Sequence, residues 1–394
     1  MADTAEQWLR NQALHENAAI DVRSSTGQHF VALDHVRACA AFLVFNWHFL
    51  HSNDGFPVSF SGAPVIFPLA LLDEGNTGVS LFMVLSGYLF TKLLDGKRFS
   101  YRAFLWNRLI RLAPLLCVVF LVVAAKGFVA GNDPIEFLRS LPHGLIFPTW
   151  PNGGWSIATE LHFYLILPAL LLLARKSPGL PLAIVAAALV FRVFLYREYG
   201  QVQSLAYWTI IGRIDQFVLG VVACLYARQI AAHRRLCGAV WLAFLLFWWW
   251  FDVTGGFYQR PTYPSSSALW IVLPTIEGIA YATFIAWYDT RPVGTSGVFS
   301  RVLQRIGEYS YSIYLLHFFV VFHVASFIHH HIMELTNFYV ALCWALPTFV
   351  LMMVPGYVSF RFIEAPFLRL RIGYVLPEPA ESAKGTPDAA KSLA

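Results

Sequence analysis

Residues 33–50, LDHVRACAAFLVFNWHFL, read as a membrane-spanning helix that carries two side chains a bilayer resists. An isolated charge at mid-bilayer costs at least about 2.5–3.5 kcal/mol on insertion scales. Arg37 nevertheless stands near one end of the stretch and His48 near the other, eleven residues on. That separation turns an α-helix through about 1100°, three turns plus roughly 20°, and raises it roughly 16 Å. Both side chains therefore project from nearly one face: a permanent cation at one depth, a titratable imidazole at another. The plain alternative is an Arg snorkelling to the interface and a His satisfied inside a helix bundle.

The rest of the chain agrees with a membrane setting. Of its 394 residues 57% are hydrophobic, 16% aromatic and only 13% charged, with mean hydropathy +0.57. A soluble domain carries nearer a quarter charged residues. The expected fold class is an all-α membrane protein, a polytopic bundle of about ten transmembrane helices. The five cysteines (Cys39, Cys117, Cys224, Cys237 and Cys343) lie in or beside apolar runs without metal-ligand spacing, so they read as small core residues. No phosphate loop, Cys/His metal pattern or nucleic-acid motif is present, and no metal site is expected.

Apolar runs place spans at about 33–50, 77–94, 112–130, 156–174, 180–196, 208–227, 237–251, 268–288, 309–328 and 338–360. Each is near the roughly 20 residues a bilayer requires. With both termini on one side, 21 of the 28 Lys and Arg fall in segments on that side and three in loops on the other. The remaining four (Arg37, Lys126, Arg192 and Arg213) fall within or at the edge of spans. The positive-inside rule makes the rich side, and both termini, cytoplasmic. Residues 1–30 read as a cytoplasmic leader without the basic start and apolar core of a signal peptide. Residues 31–371 form the transmembrane domain, and 372–394 a disordered Pro/Ala/Lys-rich tail. A loop at 329–337 begins with three His, but adjacent loop residues seldom ligate one ion together.

Seven short motifs follow one another in order: LDHVRACAAFLVFNWHF, GNTGVSLFMVLSGYLF, NRLIRLAP, WSIATELHFYLILP, GRIDQFVLG, IGEYSYSIYLLH and FRFIEAPF. Together they resemble the acyltransferase-3 family of integral membrane acyltransferases over about 31–371. The paired Arg37 and His48 match that family's first helix. Arg108, Arg111 and Pro114 match its Arg-x-x-Arg-x-x-Pro pattern, and Trp155, Ser156 and Glu160 its Trp-Ser-x-x-x-Glu helix start. Arg213, Asp215 and Gly220, then Tyr314 and His317, then Glu364 and Pro366 match three later elements. Two positions depart from it: His35 stands where Gly often follows the first Asp, and Leu161–His162 where Glu-Gln often follows the span 4 Glu. No C-terminal esterase-like domain, which some members of that family carry, is expected, so the chain is expected either to finish the transfer itself or to use a separate periplasmic partner.

The resemblance implies transfer of an acyl group, usually acetyl, from cytoplasmic acyl-CoA to a carbohydrate or glycolipid hydroxyl, in the plasma (inner) membrane of a bacterium. Acyl-CoA is then a substrate, with no tightly bound cofactor. The residues themselves suit that chemistry. A neutral His48 imidazole can accept the hydroxyl proton as it attacks a thioester, or become acylated itself. Arg37 would hold an anionic donor. Arg108 and Arg111, one turn apart, suit a phosphate clamp, though positive-inside charge alone would also put them there. Glu160 is a candidate to orient His48 or the acceptor, or a carboxylate merely favoured at a helix N-terminus. Glu277 lies mid-span and is read as a tunnel residue or a protonated buried acid. Tyr314 and His317 share a helix face as tunnel candidates, and Asp215 is a site candidate or the ion-pair partner of Arg213. The rival class is a transporter or flippase of a small anionic or glycan substrate. It suits the intramembrane charges, but the paired halves common in transporters are not evident.

Overall fold

Helix α1, Val31–His51, is the axis about which the chain packs. The computed structural model describes residues 28–52, 55–260, 262–292 and 297–376. After α1 come α2 (Gly78–Leu94), α3 (Tyr101–Val129), α4 (Gly154–Lys176), α5 (Leu182–Tyr199) and α6 (Ile210–Leu225). Then follow α7 (Arg234–Val253), α8 (Leu273–Asp289), α9 (Val298–Glu308), α10 (Ser310–Leu316), α11 (Val321–His331) and α12 (Phe338–Leu351). The described residues contain no strand, only an isolated bridge between Phe99 and Val375. Several helices begin where a side chain caps the first free N–H groups. Ser100 caps α3, Thr209 caps α6, and Asn337 accepts from Tyr339 N at 2.9 Å to start α12.

Five helices are long and apolar enough to cross a membrane by themselves: Gly75–Leu94, Tyr101–Val129, Gly154–Lys176, Arg234–Val253 and Phe338–Leu368. A sixth candidate is the α10–α11 pair, Ser310–Phe319 with Val321–His331, bent by 53°. The stretches expected at 180–196, 208–227 and 268–288 are shorter or more charged. α6 and α8 have 16 and 17 residues, and α5 carries Arg192, Arg197 and Glu198. α1 itself holds Asp34, His35, Arg37, Asn46, His48 and His51. α1, α6 and α8 lie largely in the interior, where side-chain partners replace water; α5 lies at the periphery and buries only Val185, Ala188 and Arg192.

Two close approaches set the core. α2 and α6 cross with Gly87 against Phe217 and Gly220 against Val84. A Cβ at Gly87 would lie 2.0 Å from the Phe217 carbonyl oxygen, and one at Gly220 2.1 Å from that of Val84. Only glycine on both helices lets the backbones meet. α1 packs against α2, α9 and α12. His35 ties α1 to two neighbours. Its Nδ1 lies 2.8 Å from the Tyr288 hydroxyl on α8, and its Nε2 3.1 Å from the Ser300 carbonyl on α9.

Three expectations change. The stretch expected as one span over 309–328 is broken at His317–Phe319, so His317 sits at the bend rather than on a continuous face. His329, His330 and His331 form the last turn of α11, not the start of a loop. Residues 372–376, expected in the tail, are part of the fold. Leu376 N bonds to Arg98 O, Ser100 N to Tyr374 O, and Tyr374 is 1% exposed. The leader over 1–27 and the tail from 377 onward lie outside the described residues.

Candidate active site

The polar face of α1 opens onto two adjoining cavities. The first, about 270 Å³, lies at the Arg37 end and is bordered by α1, α2, α3, α4 and the α9–α10 junction. Arg37, Arg108 and Arg111 all line it, so the structure brings together the three arginines singled out from the sequence. A fourth, Arg371, follows the last span and joins them. Burial, with Arg111 and Arg108 close by, pulls the Arg371 guanidinium down from its usual value to about 9. Such like-charge crowding is what a polyanion would relieve.

Arg37, Arg108 and Arg111 are each held by neighbours. Arg37 bonds to Asp34, which also meets His29 at 2.6 Å. Arg111 lies 3.1 Å from Glu364, a fully buried carboxylate that also accepts from the Ser312 hydroxyl. The Arg108 guanidinium stacks 5.1 Å from the Phe90 ring centroid and 5.5 Å from that of Phe104. These contacts fix the forks before any ligand arrives, which lowers the entropy a ligand must overcome.

The second cavity, about 330 Å³, lies at the His48 end. Its wall is aromatic, with Trp47, Trp150, Trp155, Tyr207, Trp208 and Tyr258 among its lining. No Asp, Glu, Lys or Arg lines it. Val79 and Tyr314 line both cavities and stand between them. The Tyr314 hydroxyl pairs with Ser156 Oγ at 2.8 Å, and Ser156 itself belongs to the first cavity.

His48 has a defined orientation. Its Nδ1 is 2.8 Å from the Val44 carbonyl oxygen and 3.4 Å from His317 Nε2. A carbonyl only accepts, so Nδ1 carries the proton and Nε2 keeps its lone pair. His317 repeats the pattern: its Nδ1 donates to the Tyr314 carbonyl at 2.6 Å, leaving Nε2 to accept from His48. The bend after Leu316 places this second imidazole there. Its contact with His48 was not legible in the spacing.

Other candidates lie elsewhere. Glu160 lines the arginine cavity and is not the orienter of His48. It accepts from Ser86 at 3.0 Å and Tyr164 at 2.6 Å. Glu277 lines neither cavity. It accepts from Thr77 at 2.6 Å and Gln216 at 3.2 Å within a buried network that includes Tyr281. Asp215 pairs with Arg192, not with Arg213: Arg192 Nη2 is 2.7 Å from its carboxylate, both side chains fully buried, and Thr275 adds a third bond. Arg213 instead stacks 4.3 Å from the Tyr207 ring centroid and 5.6 Å from that of Trp155, behind the aromatic wall. Among the described residues no group of three or more His, Cys, Asp or Glu is placed to hold a metal ion.

No solved structure matches the chain. The sequence is 29% identical over 277 residues to the putative membrane-bound transacylase BcsY of Komagataeibacter xylinus, across 64% of this chain and 68% of that one. It is 28% identical over 276 residues to the acyltransferase MdmB of Streptomyces mycarofaciens, at 63% and 68% coverage. To the peptidoglycan O-acetyltransferase OatA of Listeria monocytogenes it is 27% identical over 337 residues, spanning 74% of this chain but 51% of OatA. The family model described as an acyltransferase domain, Acyl_transf_3, matches residues 30–357. With an arginine-lined cavity and an oriented histidine joined along one helix, the chain belongs to the acyltransferase-3 family and is an acyltransferase.

Proposed function

We propose that this protein moves an acyl group, acetyl in the simplest case, from cytoplasmic acyl-CoA to a carbohydrate hydroxyl presented on the other side of the bacterial inner membrane. The observation that carries this reading is the pair of cavities on one face of α1. The arginine-lined one suits the donor's phosphates, and the uncharged one holds a histidine with a free lone pair. The charge asymmetry of the loops turns the arginine cavity toward the cytoplasm. Arg37, Arg108, Arg111 and Arg371 would hold the nucleotide end through charge-assisted bonds. The pantetheine arm would then pass Val79 and Tyr314, bringing the thioester to His48.

In the transfer step His48 Nε2 takes the proton of the acceptor hydroxyl as its oxygen attacks the thioester carbon. The C–S bond then breaks, the acyl group stays on the acceptor oxygen, and His48 returns the proton to the departing thiolate. The imidazolium formed in between donates from Nδ1 to the Val44 carbonyl and to His317 Nε2, which favours the charged form without adding a second positive charge. In this reading His48 is the general base, and Glu160, which accepts from Ser86 and Tyr164 in the arginine cavity, acts on the donor side.

Steady-state kinetics of two variants at equal membrane levels tests the assignment. His48→Ala is expected to lose roughly 10²-fold or more in turnover. Arg108→Ala is expected to raise the donor KM with little change in turnover at saturation. A His48→Ala enzyme altered only in donor affinity would overturn the mechanism.

A further inference from the structure

The His48 cavity differs from the donor cavity in kind. One is ringed by arginines and carboxylates; the other has indole and phenol rings and not one formally charged lining residue apart from the titratable His48. Resting on the acyl-transfer reading above, we propose that this cavity is a stacking subsite for a neutral pyranose ring. It would admit a hexose or an N-acetylhexosamine and discriminate against a uronic acid.

Its rings are set as platforms rather than as random packing. Trp47 and Tyr258 are nearly parallel, 14° apart with centroids at 5.8 Å. Trp208 and Tyr207 stand at 83° and 4.7 Å, making a second, angled wall. A pyranose offers flat patches of axial C–H bonds to such faces and hydroxyls at its rim. The indole Nε1 of Trp208 donates to the Tyr263 hydroxyl at 2.9 Å, so that ring is braced from behind. Trp47 Nε1 is buried with no partner, and a sugar oxygen arriving beside His48 would supply one. An unpaired buried donor costs about 1–3 kcal/mol.

The platforms are anchored by polar groups outside the cavity lining. Glu74 accepts from Phe257 N at 3.0 Å and from Asn76 at 2.6 Å, which ties the Phe257–Tyr258 turn to the start of α2. Arg213 donates to the Tyr207 carbonyl and to Ser80, and its guanidinium lies 4.3 Å from the Tyr207 ring centroid. A uronate carboxylate at this depth would find no guanidinium or ammonium on the wall and would have to shed its water without compensation. A neutral ring meets no such penalty.

Saturation-transfer NMR on the purified full-length protein in detergent reads binding without requiring turnover. The probes are methyl β-D-glucopyranoside and the methyl glycoside of glucuronic acid. Transfer to the glucoside ring protons, with at least ten-fold weaker binding of the glucuronide, is expected. Trp208→Ala with Tyr258→Ala should abolish the glucoside signal while coenzyme A binding, measured by calorimetry, stays within two-fold. Equal binding of both glycosides, no binding of either, or a glucoside signal that survives in the double variant with coenzyme A binding intact would each overturn the proposal. If the double variant loses coenzyme A binding too, Trp208→Phe and Tyr258→Phe replace it. They keep a ring, so the proposal then requires the glucoside signal to persist, and its loss counts against stacking. A wild-type protein that binds the glucoside yet transfers no label from acetyl-CoA to any glycan would instead overturn the acyl-transfer reading and leave the sugar site standing.

Discussion

At the scale of single residues, the site rests on which nitrogen of each histidine carries a proton. Val44 and His317 both face His48 Nδ1. Losing one of the two leaves the tautomer favoured but the ring less firmly aimed. His317→Ala is therefore expected to lower turnover roughly ten-fold, less than loss of the base itself, with the donor KM unchanged. An unaltered kcat would show that Val44 alone suffices. The Arg192–Asp215 pair makes a different kind of claim. Both side chains are fully buried, and neither lines the described cavities. Arg192→Met would strand a buried carboxylate, at a cost of about 3–5 kcal/mol. Thermal unfolding in detergent should show a large drop, and Arg192→Met with Asp215→Leu should recover part of it. If the single variant unfolds like the parent, the pair is not holding α5 to α6.

At the scale of the element, helix phase and helix contact make separate predictions. Inserting one Ala between Ala41 and Phe42 would turn His48 by about 100° relative to Arg37 while lengthening α1 by about 1.5 Å. Membrane insertion should survive, since hydrophobic length barely changes. Transfer should fall to background, and an active insertion variant would rule out a mechanism that uses one face of α1. The α2–α6 crossing responds to volume instead. A methyl group at Gly220 would lie 2.1 Å from the Val84 carbonyl oxygen, so the helices must separate. Overpacking of this kind costs typically about 1–3 kcal/mol. Gly220→Ala should lower the unfolding temperature, whereas Gly238→Ala, where nothing stands within 4 Å, should not.

For the whole molecule, the prediction is topological. A reporter fused after residue 376 should behave as cytoplasmic, because 21 of the 28 Lys and Arg fall on the side of the termini. Arg37 and Arg371 line one cavity, so both ends of the domain lie on one side; periplasmic behaviour of that fusion would therefore reverse the assignment of donor and acceptor cavities.

Hydropathy and charge alone determined that this is a helical membrane protein. They did so because the cost of burying charge in lipid is local and additive along the chain. Helix periodicity determined that Arg37 and His48 share a face, and motif order determined the family. The remaining features depended on contacts between residues far apart in sequence. Arg371 joins Arg108 and Arg111 only because residues 372–376 fold back against 98–100. His317 reaches His48 across 269 positions of chain, through a bend whose angle no periodicity reports. Asp215 pairs with Arg192 rather than with its near neighbour Arg213, because α5 and α6 present those two side chains to each other while Arg213 turns toward Tyr207. Glu160 follows the same rule: six residues into α4, it faces Ser86 and Tyr164, and only the packing of α2 on α4 puts it beside the arginines instead of His48. A residue type announces what chemistry it can do, but which partner it does it with is a property of helix packing, and that is set by the whole core at once.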